Sequence, residues 1–549
     1  MTNPGRQWAK GFGTFALRPF QKTMKIFDIL QNSARVYPDN VAVVHNNRKV
    51  DYKSLFEFSV KLGDYLTTLG LTDGARIGIL FENSPEYLIA YFAVFKAEYV
   101  ATPLDNSLNP EKMNFVLADC QAELLITQAK YERFFPKLLG KNLSLKGIIT
   151  DKPLKQAPAG LKTKILGEIL YDITPVKIDF SGNGNQEKLQ YDLQKESAAA
   201  PHELAAIFYT SGSTGASKGV MLSHRNLISN TIATVEYLRL TSDDSIIVIL
   251  PFYYIYGNSL LLTHILAGGA LVIDNRFLYP EVILDTMEKE KVTGFSGVPS
   301  NFMILLNNST FAARKLEHLR YFTQAGGAMA PEVVKRLIDT FPQKEIYIMY
   351  GQTEAAPRVS YCPPEKLRDK IGSIGIPVPG VKIVVADENG NEVPDGEAGE
   401  IAVSGDNVMM GYWNQPDGEE QVIKNGWLYT GDLGRKDNDG YFYIVGRKKE
   451  IIKAGGNRVS AKEVEECILE NEKVSEVAVF GVRDDILGEA IKATIVLKNG
   501  MKADRKEIQN FCRSKLADHK IPKHVDFAEV LPKYQSGKVN KMLLKEMSS

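Results

Sequence analysis

The chain has 549 residues, 44% hydrophobic and 24% charged, an ordinary globular composition at a length that calls for two or more cores. Its 66 basic and 66 acidic side chains cancel, so no global field recruits nucleic acid or an anionic membrane and any anion site must be local. Cys120, Cys362, Cys467 and Cys512 lie far apart with no CxxC pair, which argues against a zinc site and a disulfide framework and suits a reducing cytoplasm.

The first 27 residues carry no acid, and Trp8, Phe12 and Phe15 would share a helix face beside Arg6, Lys10 and Arg18. Gly11, Gly13 and Pro19 break that helix, so residues 1–25 read as an extension in front of the folded core rather than a surface anchor. From Ile26 to about Asn275, strand-like runs (Val41 to Val44, Arg76 to Phe81, Tyr99 to Pro103, Leu124 to Thr127, Ser245 to Leu250, Ala270 to Ile273) alternate with amphipathic ones (Tyr52 to Leu69, Pro85 to Ala97, Asn109 to Ala118). Such alternation predicts an α/β fold of parallel sheets covered by helices. The polar stretch Ser181 to Ala200 suits an exposed connection. The longest apolar run, Leu260 to Ile273, is interrupted by Thr263, His264 and Gly268-Gly269 and falls short of the ~18 residues a transmembrane segment needs.

The segment Tyr209 to Gly219 follows the apolar run Leu204 to Phe208. Gly212, Gly215 and Gly219 let backbone approach a polyanion, Thr210, Ser211, Ser213, Thr214 and Ser217 supply hydroxyls, and Lys218 supplies a cation. The spacing is not that of a P-loop NTPase, because Ser217 and not glycine precedes Lys218. A flexible Gly/Ser linker is the competing reading, opposed by the strand-like lead-in and by Ser223 as an N-cap for the helix His224 to Leu238.

A second α/β pattern runs from Val292 to Tyr361. At its end, Tyr350-Gly351-Gln352-Thr353-Glu354 closes an apolar strand with a carboxylate suited to magnesium beside phosphate oxygens. The stretch Val381 to Gly446 is β-rich, with turns at Asn389-Gly390, Asp395-Gly396 and Asp439-Gly440, and contains Gly426 to Asp432, whose carboxylate could accept from sugar hydroxyls. Gly446 to Lys453, running into Gly455-Gly456, marks a boundary between a domain of residues 26–446 and an α+β domain of residues 447–549. Near the end of the chain, Pro532 to Val539 presents Lys538.

Together and in this order the five segments resemble the adenylate-forming superfamily of acyl-CoA synthetases, luciferases and peptide-synthetase adenylation domains. The resemblance implies a large N-terminal domain of two α/β subdomains plus a β-barrel-like subdomain, and a small mobile C-terminal domain. It implies that a carboxylic acid, fatty or aryl, attacks Mg²⁺-bound ATP to give an acyl adenylate, which a thiol then attacks. The acceptor is CoA or, alternatively, the phosphopantetheine of an acyl carrier protein. By the same resemblance, Thr210, Ser211, Gly212, Ser213, Thr214, Gly215 and Lys218 hold the β- and γ-phosphates. Glu354 takes Mg²⁺, and Thr353 touches the α-phosphate. Ala325, Gly326, Gly327, Ala328 and Tyr350 with Gly351 wall the adenine and acyl pocket, Asp432 takes the ribose with help from Arg447, and Lys538 bridges the carboxylate and the α-phosphate. Lys449 stands at the hinge and Gly456 lines the thiol tunnel. Tyr254 stands where many relatives have histidine, and Gly257 where amino-acid-activating relatives have aspartate, which disfavours amino-acid substrates. With Tyr256, Val298 and Ala325, these positions predict an apolar, aromatic acid pocket.

Overall fold

The computed structural model describes residues 24–139, 144–172, 202–211, 217–415, 422–484, 487–533 and 539–548. The polar connection Ser181 to Ala200 lies outside them, as do residues 1–23 of the extension. Two large sheets carry most of the chain. The nine-stranded sheet is parallel at its centre, where Val41–His45, Ala270–Ile273, Ser245–Val248, Gly294–Gly297, Tyr321–Gln324 and Glu345–Gly351 lie side by side. In the eight-stranded sheet, Leu204–Ser211, Val100–Pro103, Arg76–Leu80, Leu124–Thr127, Gly147–Thr150 and Lys162–Ile165 form the parallel part.

The expected parallel sheets carry antiparallel strands at their edges. Arg358–Cys362 and Ile376–Pro377 run antiparallel to the end of the first sheet, and Ser217–Ser223 and Gly411–Tyr412 do so in the second. The connections Gln352 to Pro357 and 212–216 are too short for a helical crossover, so Arg358–Cys362 and Ser217–Ser223 must fold back beside the strands before them. These antiparallel edges carry the phosphate-loop and Glu354 motifs.

Between the sheets lie Pro85–Lys96, His224–Leu238 and Ile255–Ala267. Pro85–Lys96, read from sequence as amphipathic, buries ten of its residues and is apolar almost all round, because it is enclosed instead of covering an outer face. His224–Leu238 starts where expected: Ser223 Oγ accepts from Asn226 N, and Asn226 Oδ1 accepts from Ser223 N, a complete capping box.

A third, antiparallel sheet, Val381–Ala386, Gly399–Gly405, Trp427–Lys436, Ile423–Lys424 and Phe442–Arg447, forms the half-barrel. The fourth is Asn457–Ser460, Ile451–Ala454, Gly488–Leu497, Val474–Asp484 and His524–Phe527, with helices Ala461–Leu469 and Arg505–Arg513 over a core of its own. The fold is thus α/β with a β-rich subdomain and a small α+β C-terminal unit. No helix among the described residues is long and apolar enough to cross a membrane.

Two histidines in this core carry a pH liability. His224 Nδ1 accepts from Ile26 N at 3.2 Å, while His264 lies 3.0 Å from both Leu260 O and the Tyr321 hydroxyl. Burial holds each imidazole down to about 4 from its ordinary 6.5. Below pH 6.5 the unfolded chain therefore binds protons that the native state refuses until about pH 4, so stability falls with falling pH across that window. The expected loss by pH 5 is on the order of 2 kcal/mol per histidine. Urea unfolding at pH 7 and pH 5 reads it, and His264→Asn should remove its own share of the difference; an undiminished difference would refute the assignment.

Candidate active site

Strand pairing places Thr210 opposite Lys218 and Tyr209 opposite Gly219, so the two strands flank the segment with Gly212, Ser213, Thr214 and Gly215, which lie outside the described residues. Ser211 ends the first strand and Ser217 begins the second. A Cβ at Gly219 would stand 2.9 Å from Ile207 Cγ2 and 3.2 Å from Trp413 Cβ, which is why the hairpin is glycine at this point. Lys218 Nζ lies 4.7 Å from the centre of the Tyr412 ring.

The strand Glu345–Gly351 delivers the second motif to the same place. At Gly351 an added Cβ would meet Pro357 O at 1.9 Å, so no side chain fits and the strand can press against the returning backbone. The one-turn helix Thr353–Ala355 then presents Glu354, whose Oε1 accepts from the Tyr412 hydroxyl at 2.9 Å and whose carbonyl accepts from Met409 N at 2.9 Å. Burial first, and then the Glu354 charge, push the Tyr412 phenol well above its ordinary value, keeping it a neutral donor. Tyr412 thus touches both Glu354 and Lys218, a joint that sequence reading missed; the aromatic pair Tyr412-Trp413 after Gly411 was its only signal.

On the half-barrel, Asp432 and Arg447 are cross-strand partners. Asp432 is 5% exposed; its Oδ1 accepts from Arg447 Nε at 2.6 Å and its Oδ2 from the Tyr350 hydroxyl at 2.7 Å. Burial opposes the Arg447 charge, but Asp432 overcomes it and leaves the guanidinium more basic than usual. Burial, reinforced by Asp432, likewise holds the Tyr350 phenol protonated. Tyr350 and Glu354 are four residues apart, so one strand end joins the Asp432–Arg447 pair to the Glu354–Tyr412–Lys218 cluster.

Around this centre, Ala325 is buried and follows the strand Tyr321–Gln324, and Gly326 has φ 83, in the left-handed region. Gln324 Nε2 donates to Gly327 O at 2.8 Å, with Ala328 next in the turn. Val298 is buried where Gly294–Gly297 passes into the helix Pro299–Asn308. The Tyr254 hydroxyl donates to Asp105 Oδ2 at 3.0 Å. At Gly257 a Cβ would lie 2.0 Å from Pro251 O, so the helix can pack closely against that backbone only with glycine there. Tyr256 is buried, with its hydroxyl 3.2 Å from Thr323 O and the Arg358 guanidinium 4.2 Å over its ring. Arg358, which the sequence reading passed over, puts a buried cation behind that ring.

Lys449 lies in the exposed turn Lys448–Glu450, and Gly456, φ 81, in the exposed turn between Ile451–Ala454 and Asn457–Ser460. Lys538 lies outside the described residues. On either side of it, Lys533 bridges to Val539, and Lys541 Nζ sits 2.8 Å from both Glu450 and Glu465. Among the described residues no cluster of three His, Cys, Asp or Glu could hold a metal. A single carboxylate with oxygen donors, Glu354, is nevertheless what Mg²⁺ uses when phosphates supply the rest of its shell, so the donor set fits.

A family model described as AMP-binding enzyme matches residues 30–413, and one described as AMP-binding enzyme C-terminal domain matches residues 463–538. A long-chain-fatty-acid–CoA ligase of Bacillus subtilis (strain 168) is 32% identical over 533 residues, 94% of this chain and 93% of that protein. A feruloyl-CoA synthase of Amycolatopsis sp is 32% identical over 512 residues, 92% and 96%. Among solved structures, ATP-bound MatB from Rhodopseudomonas palustris superposes with a TM-score of 0.79 at 28% identity, covering 95% of this chain and 99% of that one. An anthranilate CoA ligase in complex with anthranoyl-AMP shares the fold, with a TM-score of 0.83 at 23% identity over 96% and 98%.

Proposed function

The chain belongs to the AMP-binding enzymes, and from that premise we infer that it converts a carboxylic acid, ATP and CoA into an acyl-CoA, AMP and pyrophosphate. The acid's oxygen bonds to the α-phosphorus as the bond to pyrophosphate breaks. The CoA sulfur then bonds to the acyl carbon, AMP leaves with the shared oxygen, and the thiol proton is released. Activation is needed because oxide is a poor leaving group and AMP a good one.

The observation that carries this reading is the meeting of Lys218, Tyr412 and Glu354 at one end of Glu345–Gly351 with Tyr350, Asp432 and Arg447. Lys218, with Thr210 and the glycine- and hydroxyl-rich segment that follows it, would grip the β- and γ-phosphates. Asp432, held by Tyr350 and Arg447, would take the ribose hydroxyls. Thr353 would donate to the α-phosphate, and Glu354 would hold Mg²⁺, which when bound supplies charge neutralisation on the phosphate oxygens. Lys538, brought in by rotation about Lys449 of the residues that follow it, would complete adenylation, and Gly456 would leave room for the thiol. Four cysteines, unpaired and buried, support a reducing compartment such as the cytoplasm.

The experiment offers free CoA and, separately, a pantetheinylated acyl carrier protein, across fatty and aryl acids with Mg-ATP. The expected result is acyl-CoA with stoichiometric AMP. Acylation of the carrier alone would replace CoA as the acceptor, and no acid-dependent pyrophosphate exchange with any acid would overturn the ligase reading.

A further inference from the structure

Arg358 is 2% exposed and opens the strand that returns beside Glu345–Gly351, in register with Gly351. Its Nη2 donates to Ser259 Oγ at 3.1 Å, its guanidinium covers the Tyr256 ring, and its buried Nε has no hydrogen-bond partner. No carboxylate among the described residues pairs with it. The contrast with Arg320, held by Asp244 and Glu345, and with Arg447, held by Asp432, is direct. A buried guanidinium without a counter-charge is costly, and hydroxyls or an aromatic face return only part of that cost.

The unpartnered acceptors nearby, Asn407 Oδ1 and Gln324 Oε1, are neutral amide oxygens and supply no counter-charge. Asn258, beside Ser259 on the enclosed helix, has a buried Nδ2 that also lacks a partner. The nearby hydroxyls of Tyr256, Thr323 and Ser296 are tied to one another. The missing component is an anionic partner, and Tyr256, whose ring the Arg358 guanidinium covers, is one of the residues assigned to the acid pocket wall.

We propose that Arg358 is a specificity-determining residue that pairs with a second carboxylate at the far end of the acid, so that the substrate is a dicarboxylic acid activated at one end. The proposal rests on the acyl-CoA ligase reading and deepens it by naming the substrate class. A guanidinium offers the paired N–H geometry that a carboxylate accepts, and a site built to hydrogen-bond a group rejects the analogue that lacks it.

The test is ATP–pyrophosphate exchange by the full-length enzyme with a series of α,ω-dicarboxylic acids, each against its own monomethyl ester. For the best diacid, kcat/KM should exceed that of its ester by about 10²-fold. In Arg358→Met that ratio should collapse to within about threefold, and in Arg358→Lys, which keeps the charge but not the fork, it should fall between. An ester as good as its diacid in the wild type overturns the proposal, as does an unchanged ratio in Arg358→Met. Should the methionine variant not fold, the wild-type ratio alone decides. Exchange with monocarboxylic acids only would sink the second carboxylate and leave the ligase reading standing, whereas no exchange with any acid would sink both.

Discussion

Lys538→Ala should lower acid-dependent pyrophosphate exchange by on the order of 10²–10³ while the affinity for ATP stays within about threefold. The asymmetry follows from where charge develops. Lys218 and the glycine-rich segment before it would meet phosphates that are already charged in free ATP, so they would contribute to binding as much as to reaction. A cation between the attacking carboxylate and the α-phosphate is felt most when the two anions approach, and its loss therefore raises the barrier rather than the dissociation constant. The nearby Lys541 is a poor substitute, because it is held between Glu450 and Glu465 at 2.8 Å from each and would leave both carboxylates unpaired if it moved. Exchange kinetics together with equilibrium titration of ATP separate the two effects, and normal turnover in Lys538→Ala would remove the residue from the mechanism.

The motifs were legible because each needs particular chemistry over a few consecutive residues: glycine where backbone must come close, as at Gly219 and Gly351, and a carboxylate at a strand end, as at Glu354. Their pairing was less so. Tyr412 lies 58 residues from Glu354 in a two-residue strand, too short for any periodic pattern to mark. Arg358 at the start of a strand carries no local signal of burial, and the packing of His224–Leu238 and Ile255–Ala267 against that strand buries it. The helix Pro85–Lys96 was mistaken for a covering element because its few polar residues mimic a hydrophilic face, whereas enclosure between two sheets is a tertiary fact. Local chemistry is written in neighbouring residues; burial of a single charge is decided by elements far apart in the chain.

Lys449→Pro should separate the two half-reactions, leaving pyrophosphate exchange within about threefold and lowering acyl-CoA formation by roughly 10²-fold or more. Lys449 lies in the middle of the turn Lys448–Glu450, and the contacts that flank it are of two kinds. Arg447 is bound to buried Asp432 and belongs to the half-barrel, while Glu450 is bound to Lys541 and belongs to the C-terminal unit. What ties the units across the turn is lighter: the exposed Lys448 pairs with Glu400, Ser460 Oγ donates to Val445 O at 2.7 Å, and Lys462 Nζ donates to Ile444 O at 2.5 Å. Such partly solvated contacts cost little to exchange, so the torsions of Lys449 rather than the interface would govern rotation. Proline fixes φ and removes the N–H, holding the turn in one arrangement. If the arrangement retained is the adenylating one, acyl adenylate should accumulate on the enzyme and be trapped by neither CoA nor a simple thiol. Quenched-flow measurement of bound acyl adenylate against released acyl-CoA distinguishes this from general damage: equal loss of both steps would show that rotation about Lys449 does not divide the reaction.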